Sequence, residues 1–206
     1  MNSPRELINE SAGLAFGEQR AALLDRALAA LPGDEDPEAR AVALAMLAQQ
    51  APERLPQAIE EGKRVLSVVE RPDWILMHLA DAAVLAGQDE EALRFASRVD
   101  EGFFLSGDLR WRVSRLAEIR AVALLRLGRE AEALSTVDAL LADLVRHGDE
   151  DDLPPPGHLV RTALSLVEGD RADLARAVLR RMAEALNLAV WFPPSVVEEI
   201  QAVVPV

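Results

Sequence analysis

The sequence predicts an all-α chain built from stacked helical hairpins, and three observations carry that expectation. Half of the 206 residues are apolar, mostly Ala, Leu and Val, with five Phe, three Trp and no Tyr. Ala and Leu favour helix because neither loses much side-chain freedom there. Apolar residues recur at helical spacing, as at Leu116, Ile119, Ala123 and Leu127 or at Leu134, Val137, Leu141 and Leu144, and no segment sustains the alternation of a strand. A glycine-headed segment also repeats: GEQRAAL at Gly17, GQDEEAL at Gly87, GREAEAL at Gly128 and GDRADLA at Gly169, with the last three glycines 41 residues apart.

Each element has its local cause. Ser3-Pro4-Arg5-Glu6 reads as a capping box with proline at the first helical position, and Asp36-Pro37 opens a second unit in the same way. The 70-residue gap between Gly17 and Gly87 holds a degenerate unit, with a helix through ARAVALAMLAQQ, a break at Ala51-Pro52 and a helix through IEEGKRVLSVVE. Glycine between two apolar helices suits a tight turn, because it takes the left-handed conformation without penalty. Helix pairs are expected at 4–15/18–31, 37–50/56–70, 72–86/89–101, 108–127/129–147 and 156–168/171–187, in a single domain over 1–206. Phe103-Phe104-Leu105 joins the third and fourth pairs and is expected to bury there. Ser195-Val196-Val197-Glu198 reads as a capping box opening a last helix at 194–203. Its apolar face of Val196, Val197, Ile200, Val203 and Val204 either covers the final hairpin or recruits a second copy or partner helix.

These segments resemble tetratricopeptide repeats. In that family the turn glycine is followed five residues on by a small alanine, as in Gly87 with Ala92, Gly128 with Ala133 and Gly17 with Ala22. Ala80 and Ala121, seven residues before their glycines, match the small residue of the family's first helix, where the two helices of a hairpin touch. The match is strongest across 72–147, whereas Leu174 replaces the alanine after Gly169 and the family's Trp and Tyr positions are mostly unfilled. The resemblance implies a right-handed α-α superhelix, a TPR-like solenoid of about five hairpins with a C-terminal capping helix. The 41-residue spacing exceeds the usual ~34 by about two helical turns, which implies lengthened hairpins.

Composition narrows the function classes. The formal net charge is −13 with Lys63 the sole lysine, a base-composition bias of bacterial type. Nucleic acid and anionic membrane surfaces select the opposite sign, so neither is an expected partner. The absence of cysteine removes disulfides, thiolate metal sites and thiol catalysis. No basic segment followed by a long apolar run opens the chain and no apolar stretch reaches ~20 residues, so a cytoplasmic location is expected.

Candidate chemistry is sparse. His147, Asp149, Glu150, Asp151, Asp152 and His158 form the densest set of metal-ligand types, but they lack the spacing and turn glycine of an EF-hand, and hydrated surface charge is the plainer reading. His78, His147 and His158 each stand away from any nucleophile motif. No catalytic residue, metal or cofactor is expected. In the repeat register the inner surface receives Trp74, Met77, Asp81 and Val84 from one helix and Arg115, Glu118, Val122 and Leu125 from the next, with His78 and Arg112 at the margins. Trp111 lies between Arg110 and Arg112, the one local excess of positive charge, which either holds a carboxylate or pairs with neighbouring acids. The partner-binding set is therefore Trp74, Met77, His78, Asp81, Trp111, Arg112, Arg115 and Glu118, and the alternative for Trp74 and Met77 is packing between hairpins. The expected function is a non-enzymatic scaffold or adaptor that takes a peptide or helix of another protein, in one version chaperone-like. A structural subunit dimerising through the C-terminal helix is the alternative, and an enzyme or metal-binding protein comes behind both.

Overall fold

The computed structural model describes residues 2–31, 36–148 and 153–204. Among them lie thirteen α-helices, one 3-10 turn and no strand. The chain forms two compact units, Met1–Val99 and Asp100–Val206.

The first unit contains α1 (Pro4–Ala12), α2 (Glu18–Ala29), α3 (Pro37–Ala48), the 3-10 turn Pro52–Arg54, α4 (Leu55–Val65), α5 (Asp73–Leu85) and α6 (Asp89–Ala96). Consecutive helices pack as pairs, α1 on α2, α3 on α4 and α5 on α6, and α3 also touches α1 and α5. The start signals act as the sequence predicts. Ser3 Oγ accepts the Glu6 N–H at 3.3 Å while the Glu6 carboxylate accepts the Ser3 N–H at 2.7 Å. Asp36 accepts the Ala39 N–H at 3.1 Å and a forked pair of bonds from Arg5 at 2.6 and 2.9 Å, tying the start of α3 to α1. Burial opposes ionisation of Asp36, but the Arg5 and Ala39 hydrogen bonds outweigh it and hold the carboxyl below its usual range.

Leu7, Ile8, Leu23, Leu24, Ala27, Met46 and Leu47 form one buried cluster of this unit, and Phe95 of α6 is buried as well. Gly62 lets α4 approach α5, since a Cβ there would stand 2.6 Å from Leu79 Cδ1. Arg40 of α3 closes the end of α2 by donating to the Leu31 carbonyl at 3.1 Å. Helix α4 ends at Val65 rather than near 70, where β-branched Val68 and Val69 and the approach to Pro72 disfavour further helix.

The second unit contains α7 (Glu101–Ser106), α8 (Arg110–Leu127), α9 (Glu130–His147), α10 (Gly157–Leu166), α11 (Ala172–Ala185), α12 (Leu188–Trp191) and α13 (Pro194–Val203). Here α8 pairs with α9 and α10 with α11, while α8 touches α10 and α9 touches α11. Arg176 of α11 donates to the Val167 carbonyl at 2.8 Å, repeating for α10 the closure that Arg40 gives α2.

Two turn glycines have the backbone that the sequence predicts, Gly87 at φ 73° and Gly128 at φ 71°. Ala80, Ala92, Ala121 and Ala133 are fully buried. The Gly17–Ala22 match does not hold at the contact: Gly17 itself caps α2, so the frame moves by one residue and half-buried Ala21 packs on the core while Ala22 faces solvent. Between Gly87 and Gly128 the added length is partly the separate helix α7, on which Phe104 is buried and Leu105 exposed. The capping box expected at Ser195 is absent. Extended Pro193 is the N-cap and Pro194 starts α13, which leaves Ser195 already inside the helix. Ile200 and Val204 of the last segment are buried, with α13 against α10, α11 and α12. No helix of the described residues is long and apolar enough to cross a membrane.

Candidate functional site

In the first unit the predicted residues sit on α5. That helix is apolar on nearly every side, and such a helix is buried rather than surface-lying. Met77, His78 and Val84 are accordingly buried, while Trp74 and Asp81 are half-buried. Trp74 stacks on His78 with centroids 6.2 Å apart and planes inclined by 20°. Three helices meet behind this pair. Arg20 of α2 donates to Gln49 Oε1 at 2.6 Å, and the Gln49 amide nitrogen lies 3.2 Å from His78 Nδ1. The arginine can only donate, so it fixes the amide orientation, and His78 Nδ1 then accepts. Burial lowers the Arg20 pKa, and the charge of Asp81 offsets part of that effect. Phe16, 53% exposed, lies 4.6 Å from the Arg20 guanidinium and borders an open groove of about 610 Å³ that Gln49 and Gln50 also line.

In the second unit the predicted residues sit on α8. Trp111 is 37% exposed, with the Arg112 guanidinium 3.9 Å above its ring, a cation–π arrangement. Arg110 pairs with Asp143 of α9 at 3.1 Å, and Ser114 donates to the same carboxylate at 3.0 Å. Arg115 pairs with Glu118 one turn on. Glu118, only 5% exposed, accepts the backbone N–H groups of His158 and Leu159 at 2.7 and 3.0 Å. A carboxylate on α8 thus caps the positive end of α10. Val122 and Leu125 are buried in the core. Arg110 of the basic turn, and Arg115 further along α8, therefore meet carboxylates of this chain, the second of the two readings of that turn.

Arg126 Nη2 stands 3.2 Å from His158 Nε2, so that nitrogen accepts and Nδ1 carries the proton. Burial and then the charges of Arg115, Arg126 and Arg161 push the His158 pKa down to about 4. Asp149 to Asp152 lie outside the described residues, and among the described residues no group of three or more His, Cys, Asp or Glu could hold a metal. Sequence reasoning missed Arg20, Gln49 and Phe16. Two amides ending an otherwise apolar helix were the available signal, whereas a buried arginine leaves none at short range. Comparison with protein-family models, with curated proteins and with solved structures finds no match.

Proposed function

We propose that this chain is a non-enzymatic interaction module of tetratricopeptide-like hairpins, arranged as a right-handed helical solenoid, that holds a segment of another protein. Trp111 with Arg112 on α8 is the leading contact, and Trp74, Asp81 and Arg115 are further candidates. Met77, His78 and Glu118 act from behind, His78 by stacking on Trp74 and Glu118 by holding Arg115.

The observation that carries this reading is the Trp111–Arg112 pair: a large aromatic left 37% exposed under a guanidinium, on a helix that buries Leu116, Ile119, Val122, Leu124 and Leu125. Trp and Arg are the residue types that most often dominate binding energy at interfaces. The surplus of thirteen acidic charges favours a segment that combines apolar and basic residues. The test is capture of partners from the native organism with the wild-type chain and with Trp111→Ala. A defined protein should be enriched by the wild type and lost with the variant, while helix content and melting stay unchanged. Capture of no defined protein, or equal capture by both, overturns the reading.

A further inference from the structure

The face shared by α9 and α11 points to a second interaction, distinct from the one at Trp111. The two helices leave between them an open groove of about 640 Å³. Leu141, Ala142 and Val145 of α9 and Ala185 of α11 give it an apolar lining, and Val145 is 63% exposed although it is β-branched and apolar. Arg181 bridges the helices by donating to both carboxylate oxygens of Asp138 at 2.9 and 3.0 Å. About two turns further along α9 stands Arg146, and on α11 Glu184 lines the same groove. Neither Arg146 nor Glu184 has a hydrogen bond or ion pair among the described residues.

The charges select the occupant. Asp138 and Glu184 balance Arg146 and Arg181, so the groove is neutral in a chain of net charge −13. A strongly basic partner would be drawn to the acidic surfaces instead. Two copies of so acidic a chain repel each other, and the repulsion is least where each presents a neutral apolar patch. Arg146 and Glu184, unpartnered among the described residues, have opposite signs and stand on different helices. A two-fold axis through the groove therefore sets Arg146 against the second copy's glutamate and repeats that pair in the other direction, the self-complementarity an isologous contact needs.

We propose that a second copy of this chain docks on the α9–α11 face, with Val145 at the centre and two reciprocal Arg146–Glu184 pairs beside it. Sedimentation equilibrium of the full chain across a dilution series tests this. The wild type should pass from dimer to monomer, and Val145→Glu should weaken association by about tenfold or more. Arg146→Glu and Glu184→Arg should each weaken it, and the double swap should restore it to near the wild-type value. Because these side chains face solvent in the monomer, melting at dilutions where the wild type is itself monomeric should not change. A wild type that stays monomeric at every concentration overturns the proposal. So does association that the single changes leave intact, or a double swap that rescues nothing. Loss of partner capture by Trp111→Ala without any change in association would leave this dimer standing by itself.

Discussion

Arg115 and Ala121 lie six residues apart on α8, and the contacts around each decide what a substitution there does. Ala121 is fully buried where α8 meets its neighbours, so Ala121→Leu overpacks the site and should cost roughly 1–3 kcal/mol of stability by denaturant unfolding. Sequence alone treats Arg115 as a surface cation whose reversal leaves folding untouched. Its pairing with buried Glu118, which caps α10, changes that expectation. Arg115→Glu sets two carboxylates together beside a helix end and should lower the melting temperature as well, so Trp111→Ala is the cleaner probe of binding. His158 supplies a pH dependence. Its folded pKa near 4 lies below the unfolded value of about 6.5, so the unfolded chain binds the proton first. The associated stability is complete above about pH 6.5 and is lost as the pH falls toward 4, and His158→Gln should flatten the melting profile over that window.

Four helix starts and turns were legible because their causes are local, whereas the capping box expected at Ser195 gave way to the Pro193-Pro194 start. Ser3, Asp36, Gly87 and Gly128 act within a few residues, and each behaves as the sequence predicts. Ser3→Ala should therefore cost about 1 kcal/mol through the lost cap, read as a shift in the unfolding midpoint. Elements fixed by tertiary contact were not legible. Helices α7 and α12 are six and four residues long, too short to show a helical period. The approach of α4 to α5 hangs on Gly62, which in sequence reads only as a weak helix former. Gly62→Val should lower stability by roughly 1–3 kcal/mol, because Leu79 is itself buried and has little room to yield. Met77, His78 and Val84 of the predicted inner surface are buried for a reason the sequence did contain. The segment Asp73–Leu85 is apolar on nearly every side, and a helix of that kind packs on several neighbours and leaves Trp74 and Asp81 half-buried on one side.

At the scale of the whole chain, each of the two units encloses first helices of hairpins among their neighbours, α3 and α5 in one and α8 in the other. α3, α5 and α8 carry buried residues on several sides, whereas α13 buries chiefly Ile200. Helices enclosed in this way should open only with the unit around them. Hydrogen exchange of the native chain, followed by mass spectrometry, tests that most directly. The account expects the slowest amides in α3, α5 and α8, with α1 and α13 exchanging sooner. If α5 or α8 exchanged as fast as α13, the enclosed-hairpin architecture would be contradicted.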